Sequence, residues 1–147
     1  KEQKQTDREN SRKPFQWNAS PNASFNERKN WLKVHPNHTT INAESKENDT
    51  ESTYNYFRTL IQLRKKEPTL IYGSYTLLDE ENEKVYVYLR ELNGRKIVVL
   101  LNFTSQEALF SIPISVVGAK ILLSNYNQKS IESNKLLPYE AAIIAIK

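Results

Sequence analysis

Hydrophobic positions follow three different regimes along the chain. In the last of them, from Thr69 onward, they recur every second residue. Val85, Val87 and Leu89 alternate with Tyr86, Tyr88 and Arg90, the pattern of a strand with one buried face. Asn93-Gly94 then supplies the dipeptide preferred in a two-residue type I′ hairpin turn, and Lys96–Phe103 returns as a run rich in Ile, Val and Leu. Leu70–Leu78, Ala108–Ile112, Lys120–Ser124 and Ala141–Ile146 are further strand candidates, and Pro113 and Gly118 bracket one connection. About six short strands with turn signals roughly every ten residues predict a mainly β fold, an antiparallel, Greek-key-like β-sandwich over 69–147.

The middle regime is helical. Tyr56, Phe57, Leu60, Ile61 and Arg64 fall at near-helical spacing over 51–66. Arg64-Lys65-Lys66 puts cations at the end where the helix dipole favours them, and Pro68 closes the segment 51–68. Asn48 and Glu51 have the spacing of a capping box. Residues 1–50 show no sustained period of 2 or 3.6. They still contain Pro14, Phe15, Trp17, Phe25, Trp31, Leu32 and Val34, too much apolar surface for a solvated tail. An irregular stretch of this length is expected to be a functional loop packed on something larger, with that surface upstream of residue 1.

Composition narrows the function classes. The net charge is a modest +4 and no basic stripe with interleaved aromatics is present, which argues against a nucleic-acid partner. Apolar runs such as Lys96–Phe103 are far too short to span a bilayer, and nothing resembles a signal peptide. Cysteine is absent, which removes disulfides and thiolate-bound metals, and methionine is absent too, so a processed or partial chain is expected. Asn-X-Ser/Thr sequons begin at Asn18, Asn22, Asn37, Asn48 and Asn102, with Pro21 disfavouring the first. They read either as glycosylation sites of a secreted protein or as the by-product of an Asn-rich sequence. At Asn48 a capping role competes with a glycan.

Three segments carry a resemblance. Arg8-Glu9-Asn10-Ser11-Arg12-Lys13-Pro14-Phe15-Gln16-Trp17, followed by Ser20-Pro21-Asn22-Ala23-Ser24-Phe25, is similar to Arg-Asp-x-x-Arg-Thr-Pro-Met/Phe-Gln-Trp-Asp with a downstream Asn-Ala-Gly-Phe. Trp31-Leu32-Lys33-Val34-His35-Pro36-Asn37 is close to Trp-Leu-x-Val-Asn-Pro-Asn. The third is Leu60-Ile61-Gln62-Leu63-Arg64-Lys65 leading into Ile71-Tyr72-Gly73-Ser74-Tyr75, and Leu137-Pro138-Tyr139-Glu140-Ala141 fits the same ending. In order and extent they resemble the end of the alpha-glucosidase and oligo-1,6-glucosidase branch of the alpha-amylase superfamily, across essentially the whole chain.

That resemblance implies a (β/α)₈ barrel upstream. Residues 1–50 would be the active-site-face loop after its eighth strand, 51–68 the last barrel helix, and 69–147 the C-terminal antiparallel β-domain packed on the barrel. It implies an alpha-glucoside substrate such as maltose, sucrose or a short oligosaccharide. Retaining glycosidases use a nucleophile and an acid/base about 5 Å apart. The family carries its Asp nucleophile, Glu acid/base and stabilising Asp on earlier barrel strands, so no catalytic residue is expected in this chain. Asp7, Glu9 and Glu27 match none of them. Arg8 matches the loop Arg that reaches the sugar at the cleavage subsite, a task suited to a permanently charged fork of donors. The plain reading of Arg8 is a surface charge paired with Glu9 or Asp7.

Departures from the family pattern are Glu9 for Asp, Lys13 for Thr, Asn18 for Asp and Ser24 for Gly, the last at a position where Ser is costly. They leave room for a non-catalytic relative acting as a membrane-associated subunit or receptor. A free-standing carbohydrate-binding β-sandwich is a further alternative. His35 and His38 lack the third and fourth ligands that zinc needs, and no phosphate loop, nucleophile elbow or dinucleotide fingerprint is present. No metal and no cofactor are therefore expected. Trp17, Phe25 and Trp31 either anchor the loop or stack on sugar rings. Tyr86 and Tyr88, opposite Val85 and Val87, are expected to cover the barrel or a sheet edge. The sequons suggest a secreted, extracellular protein.

Overall fold

The computed structural model describes residues 12–28 and 32–146. The chain divides into two compact units between Arg58 and Thr59. The first unit contains single 3₁₀ turns at Pro21–Ser24 and Pro36–Thr39 and a short helix α1, Ala43–Asn48. Helix α2, Thr53–Lys66, begins in this unit and carries the boundary.

Helix α1 starts where the first amides can be satisfied. Asn42 accepts from the Ser45 N–H at 2.8 Å, and Ser45 Oγ lies 3.3 Å from the Asn42 N–H, a reciprocal capping box. This corrects the box expected at Asn48 and Glu51. Asn48 ends α1, and Asp49 turns the chain by accepting from the Ser52 N–H at 3.0 Å. The hydroxyl that caps α2 is then Ser52, which accepts from the Asn55 N–H at 3.2 Å.

The second unit is built on one antiparallel sheet. After α2, a single helical turn α3, Thr69–Tyr72, leads into β1, Ser74–Leu78, β2, Val85–Leu92, and β3, Arg95–Asn102. The two-residue strands β4, Ala108–Leu109, and β6, Lys135–Leu136, pair with each other; β5 is Lys120–Ser124 and β7 Ala141–Ile146. The order in the five-stranded sheet is β1-β2-β3-β7-β5. Between Ile121 and Leu123 the β5 register slips by one residue against β7, a bulge.

Period-2 burial places Val85, Val87 and Leu89 of β2, Val98 and Leu100 of β3, and Ala142, Ile144 and Ile146 of β7 on one face. Against them lie Ala108, Phe110, Val116, Ile131 and Leu136 from the β4–β6 ribbon and its connections. The layers are unequal, a broad sheet against a ribbon and loops, because Pro113 and the polar stretch after Ser124 leave few residues able to extend a second sheet. Accordingly only Ala108–Leu109 of the expected Ala108–Ile112 strand is in a ladder.

The expected strand Leu70–Leu78 begins four residues late, at Ser74. Pro68 favours a helical start, and the Tyr72 and Gly73 N–H groups donate to the Pro68 and Thr69 carbonyls at 2.8 and 3.1 Å. Gly73 then lets the backbones close. A Cβ there would sit 2.5 Å from Thr69 O and 3.0 Å from Glu91 O. On the same face Arg90 Nη2 donates to Ile71 O at 3.2 Å, fastening α3 over β2.

Two predictions follow from these contacts. Gly73→Ala is expected to lower the urea midpoint by the equivalent of about 1–3 kcal/mol, since the clash is with backbone; an unchanged midpoint counts against the packing described. The second concerns Arg95, which grips Glu67 with Nη2–Oε2 at 2.9 Å and Nε–Oε1 at 3.4 Å. That hydrogen bond holds the Glu67 carboxyl below its ordinary 4.5. A lowered carboxylate pKa stabilises the fold above 4.5 and loses that contribution as pH falls through the folded value. Arg95→Ala should therefore cost about 0.5–1 kcal/mol at neutral pH and nothing measurable once Glu67 is protonated, compared by urea melts at neutral pH and at a pH well below the lowered Glu67 value.

Candidate functional site

The first unit is organised by side chains bonding to backbone. Lys13–Trp17 runs extended past the start of α1, and the Gln16 and Trp17 carbonyls accept from the Ala43 and Glu44 N–H groups, each at 2.9 Å. These are two of the helix's orphan donors, so the segment completes the helix end. Gln16 Nε2 also donates to Ile41 O at 2.5 Å and to Asn37 Oδ1 at 3.1 Å. One carboxamide thereby joins the Lys13–Trp17 segment, the 3₁₀ turn at Pro36 and the residue before the α1 cap. Asn42, buried, adds a bond from Nδ2 to His38 O at 2.7 Å.

An open groove of about 960 Å³ lies along this arrangement, with Phe15, Trp17, Ile41 and Tyr54 among its walls and Lys13, Glu44 and Glu47 at its margins. Phe15 and Trp17 meet edge to face at 4.6 Å between ring centroids, yet both remain half exposed. Phe25 is similarly exposed. The Trp17 backbone is fixed through the Glu44 N–H and its own N–H donated to Ala23 O at 3.1 Å. Its ring takes no part in those bonds.

The Asn22-Ala23-Ser24 turn is the strained part of the site. All three residues have left-handed φ, at 57°, 52° and 52°, a conformation costing an L-residue about 1 kcal/mol or more. Ser24 therefore adopts the backbone expected of the glycine that the family pattern places there. It is held by a hydroxyl pair with Ser20 at 2.8 Å, while Ser20 Oγ also donates to Asn18 Oδ1 at 2.6 Å. Ala23 is fully buried beneath the turn.

Arg8, the one expected substrate-binding residue, lies outside the described residues, as do Asp7, Glu9 and Trp31. His35 and His38 sit on the 3₁₀ turn, where His35 Nδ1 pairs with Asn37 Oδ1 and His38 Nδ1 lies 3.0 Å from His35 O. Among the described residues no group of three or more His, Cys, Asp or Glu is placed to hold a metal ion, and no helix is long and apolar enough to cross a membrane. Of the sequon asparagines, Asn48 is exposed at the end of α1. Asn22 Nδ2 donates to Arg28 O at 3.1 Å, and Asn37 Oδ1 accepts from Gln16. Asn102 is buried, with Nδ2 donating to Gln106 O at 2.7 Å and Leu137 O at 2.8 Å. Both of its amide hydrogens are in use, so in this fold Asn102 has none to exchange for a glycan.

Tyr86 and Tyr88 lie on the sheet face opposite the main core, as their alternation requires, and Tyr75 of β1 joins them. The Tyr75 and Tyr86 hydroxyls are 2.5 Å apart, and their rings stand 5.4 and 5.7 Å from Tyr88. That hydroxyl bond is the main reason Tyr75 is pushed up to about 12, with burial contributing; burial raises Tyr88 as well.

The model for "Alpha amylase, catalytic domain" matches residues 1–73, and that for "Maltogenic Amylase, C-terminal domain" matches residues 75–143. The chain belongs to the alpha-amylase family. It is 37% identical to the probable oligo-1,6-glucosidase 2 of Bacillus subtilis (strain 168), over 92% of this chain and 25% of the relative. To the oligo-1,6-glucosidase of Bacillus cereus it is 35% identical, over 95% of this chain and 26% of the relative. Its fold superposes on the trehalulose synthase from Pseudomonas mesoacidophila MX-45 with a TM-score of 0.81 and 37% identity, covering 95% of this chain and 26% of that one. This alpha-amylase-family chain thus spans about a quarter of the length of the relatives it matches. The groove and the strained turn both lie within residues matched by the catalytic-domain model.

Gln16 stands in the Arg8–Trp17 run with no role legible from sequence, and Asn42 belongs to none of the motifs. The Asn42-x-x-Ser45 spacing was the available sign for the second; nothing marks a glutamine that bonds residues 21 and 25 positions away.

Ser24→Gly is expected to raise stability by about 0.5–1 kcal/mol, the relieved strain outweighing an exposed hydroxyl contact. Thermal melting followed by tryptophan fluorescence decides it; a drop in melting temperature would mean that the Ser20 contact matters more than the backbone.

Proposed function

We propose that these residues complete a retaining alpha-glucosidase that releases terminal alpha-linked glucose from maltose, sucrose or short oligosaccharides. Residues 1–50 form the loop on the active-site face after the eighth strand of a (β/α)₈ barrel, 51–68 the last barrel helix, and 69–147 the β-domain that packs on the barrel. The Asp nucleophile and the Glu acid/base come from barrel strands upstream, and the alpha-glucoside binds there. Arg8 holds the glucosyl unit by charge-assisted hydrogen bonds. The polypeptide works outside the cell, and Asn48 is the sequon whose exposure best suits a glycan.

The observation that carries this reading is the continuous match of over nine-tenths of the chain to oligo-1,6-glucosidases at 35–37% identity. The site geometry supports it as well. A segment with little regular structure is held by specific hydrogen bonds from Gln16 and Asn42 and leaves aromatic rings uncovered beside a groove, which suits a loop that positions residues against another body. Phe57, at 60% exposure, and Ile61, at 39%, lie on the face of α2 that a barrel would cover.

The test is hydrolysis of maltose, sucrose and isomaltose by the full-length polypeptide, beside Arg8→Ala. Loss of kcat/KM by on the order of 10²-fold or more is expected, the scale set by removing a group that orients the reacting sugar. The isolated 147 residues should show no turnover. A folded but inert full-length protein would instead favour the non-catalytic relative, and an active Arg8→Ala enzyme would return Arg8 to an ordinary surface charge.

A further inference from the structure

The hairpin tip between β2 and β3 carries a chemistry that the glucosidase reading does not use. Gly94 is the one glycine of this chain that follows an asparagine. Asn93 and Gly94 are both exposed and both left-handed, with φ of 50° and 77°, beyond the last ladder pair, Leu92 with Arg95. A Cβ built at Gly94 would meet nothing within 4 Å. Gly94 thus sets no side chain beside its own amide nitrogen, and the space a Cβ would take is open. The turn also closes the free end of the hairpin, where ladder hydrogen bonds open most readily.

We propose that Asn93 is a site of spontaneous deamidation in the folded protein. The Gly94 amide nitrogen, on losing its proton, attacks Cγ of the Asn93 carboxamide. The N–Cγ bond forms, the Cγ–Nδ2 bond breaks, and ammonia leaves with a proton from solvent, giving a five-membered succinimide. Water then adds to either ring carbonyl. Opening at one returns aspartate; opening at the other gives isoaspartate, in which the main chain runs through Cβ and Cγ. The balance is one water consumed and one ammonia released, with nothing oxidised or reduced.

Three other described asparagines are disfavoured by what surrounds them. Asn102 is buried with both amide hydrogens donated. Asn42 and Asn125 each donate from Nδ2 to a main-chain carbonyl and accept from a backbone amide. Deamidation at Asn93 lowers the formal charge by one and sets a carboxylate two residues from Arg95, whose guanidinium holds Glu67. Isoaspartate also lengthens a two-residue turn, which removes the geometry that aligns Leu92 with Arg95.

The experiment incubates the full chain, folded, at mildly alkaline pH and body temperature. Peptide mapping by mass spectrometry and isoaspartyl methyltransferase labelling then follow each asparagine. Asn93 is expected to convert before any other asparagine, with a more acidic species growing on ion exchange at the same rate. Gly94→Asn keeps a residue that tolerates φ > 0 and restores a side chain beside the attacking nitrogen. It should slow conversion by an order of magnitude while circular dichroism stays unchanged. If that variant does not fold, the comparison of folded with urea-unfolded wild type decides. An Asn93 that survives in the folded chain but converts when unfolded, or another asparagine reacting first, overturns the proposal.

Discussion

Strand β3 has to be dry on both sides. Ile97, Val98, Val99 and Leu100 are consecutive and at most 5% exposed, and consecutive residues of a strand point to opposite faces. The sheet therefore needs two covers. The β4–β6 ribbon with Phe110, Val116 and Ile131 supplies one, over Val98 and Leu100. The other begins with α3, pressed close by Gly73 and tied down through Arg90 to Ile71. The position of β3 in the middle of the β1-β2-β3-β7-β5 order follows from the same demand, since only a central strand has neighbours able to carry both covers past it.

Much of this was legible from the chain alone, and the parts that were not share a physical reason. Strands β2 and β3 and the Asn93-Gly94 turn come directly from period and turn chemistry, because their energetics are local. Strand β6 is two residues long and exists only because Leu136 is buried against the sheet, which no window of sequence reveals. At Leu70–Tyr72 an apolar run suits strand and helix alike, and the preceding Pro68 decides. The cap of α2 was misplaced because Asn48, Asp49 and Ser52 all carry capping side chains, and the turn between the helices selects among them. Residues 12–50 lack a period because side-chain bonds, long-range from Gln16 and shorter ones from Asn55, do the work that ladders do elsewhere.

The candidate site divides the same way. Its family membership was readable from motif order, and so was the conformational demand at Ser24, where a non-glycine now sits at φ 52°. The sequons show the opposite case. Asn102-Phe103-Thr104 has the required spacing, but its asparagine bridges Gln106 and Leu137, and its Oδ1 accepts from both N–H and Oγ–H of Thr104. The same three letters that fit a glycan also build a turn, and only burial separates the two uses. Glu140 makes a similar point within the Leu137–Ala141 motif. It is 2% exposed and accepts from the Leu137 N–H at 2.7 Å and from Gln128, so that motif is a self-bonded corner leading into β7.

The bulge in β5 bears on how the molecule behaves in company. Ile121, Leu122 and Leu123 lie on the outermost strand of the sheet, and a flat apolar border of that kind is where one molecule recruits the next into a growing fibril. Slipping the register at Leu122 breaks the even spacing of free amides that a newcomer would have to match, and the bridge from Lys120 to Ser130 occupies one end of that border. A single inserted residue thus keeps a greasy margin from serving as a template, so the sheet can stay five strands wide in a crowded solution.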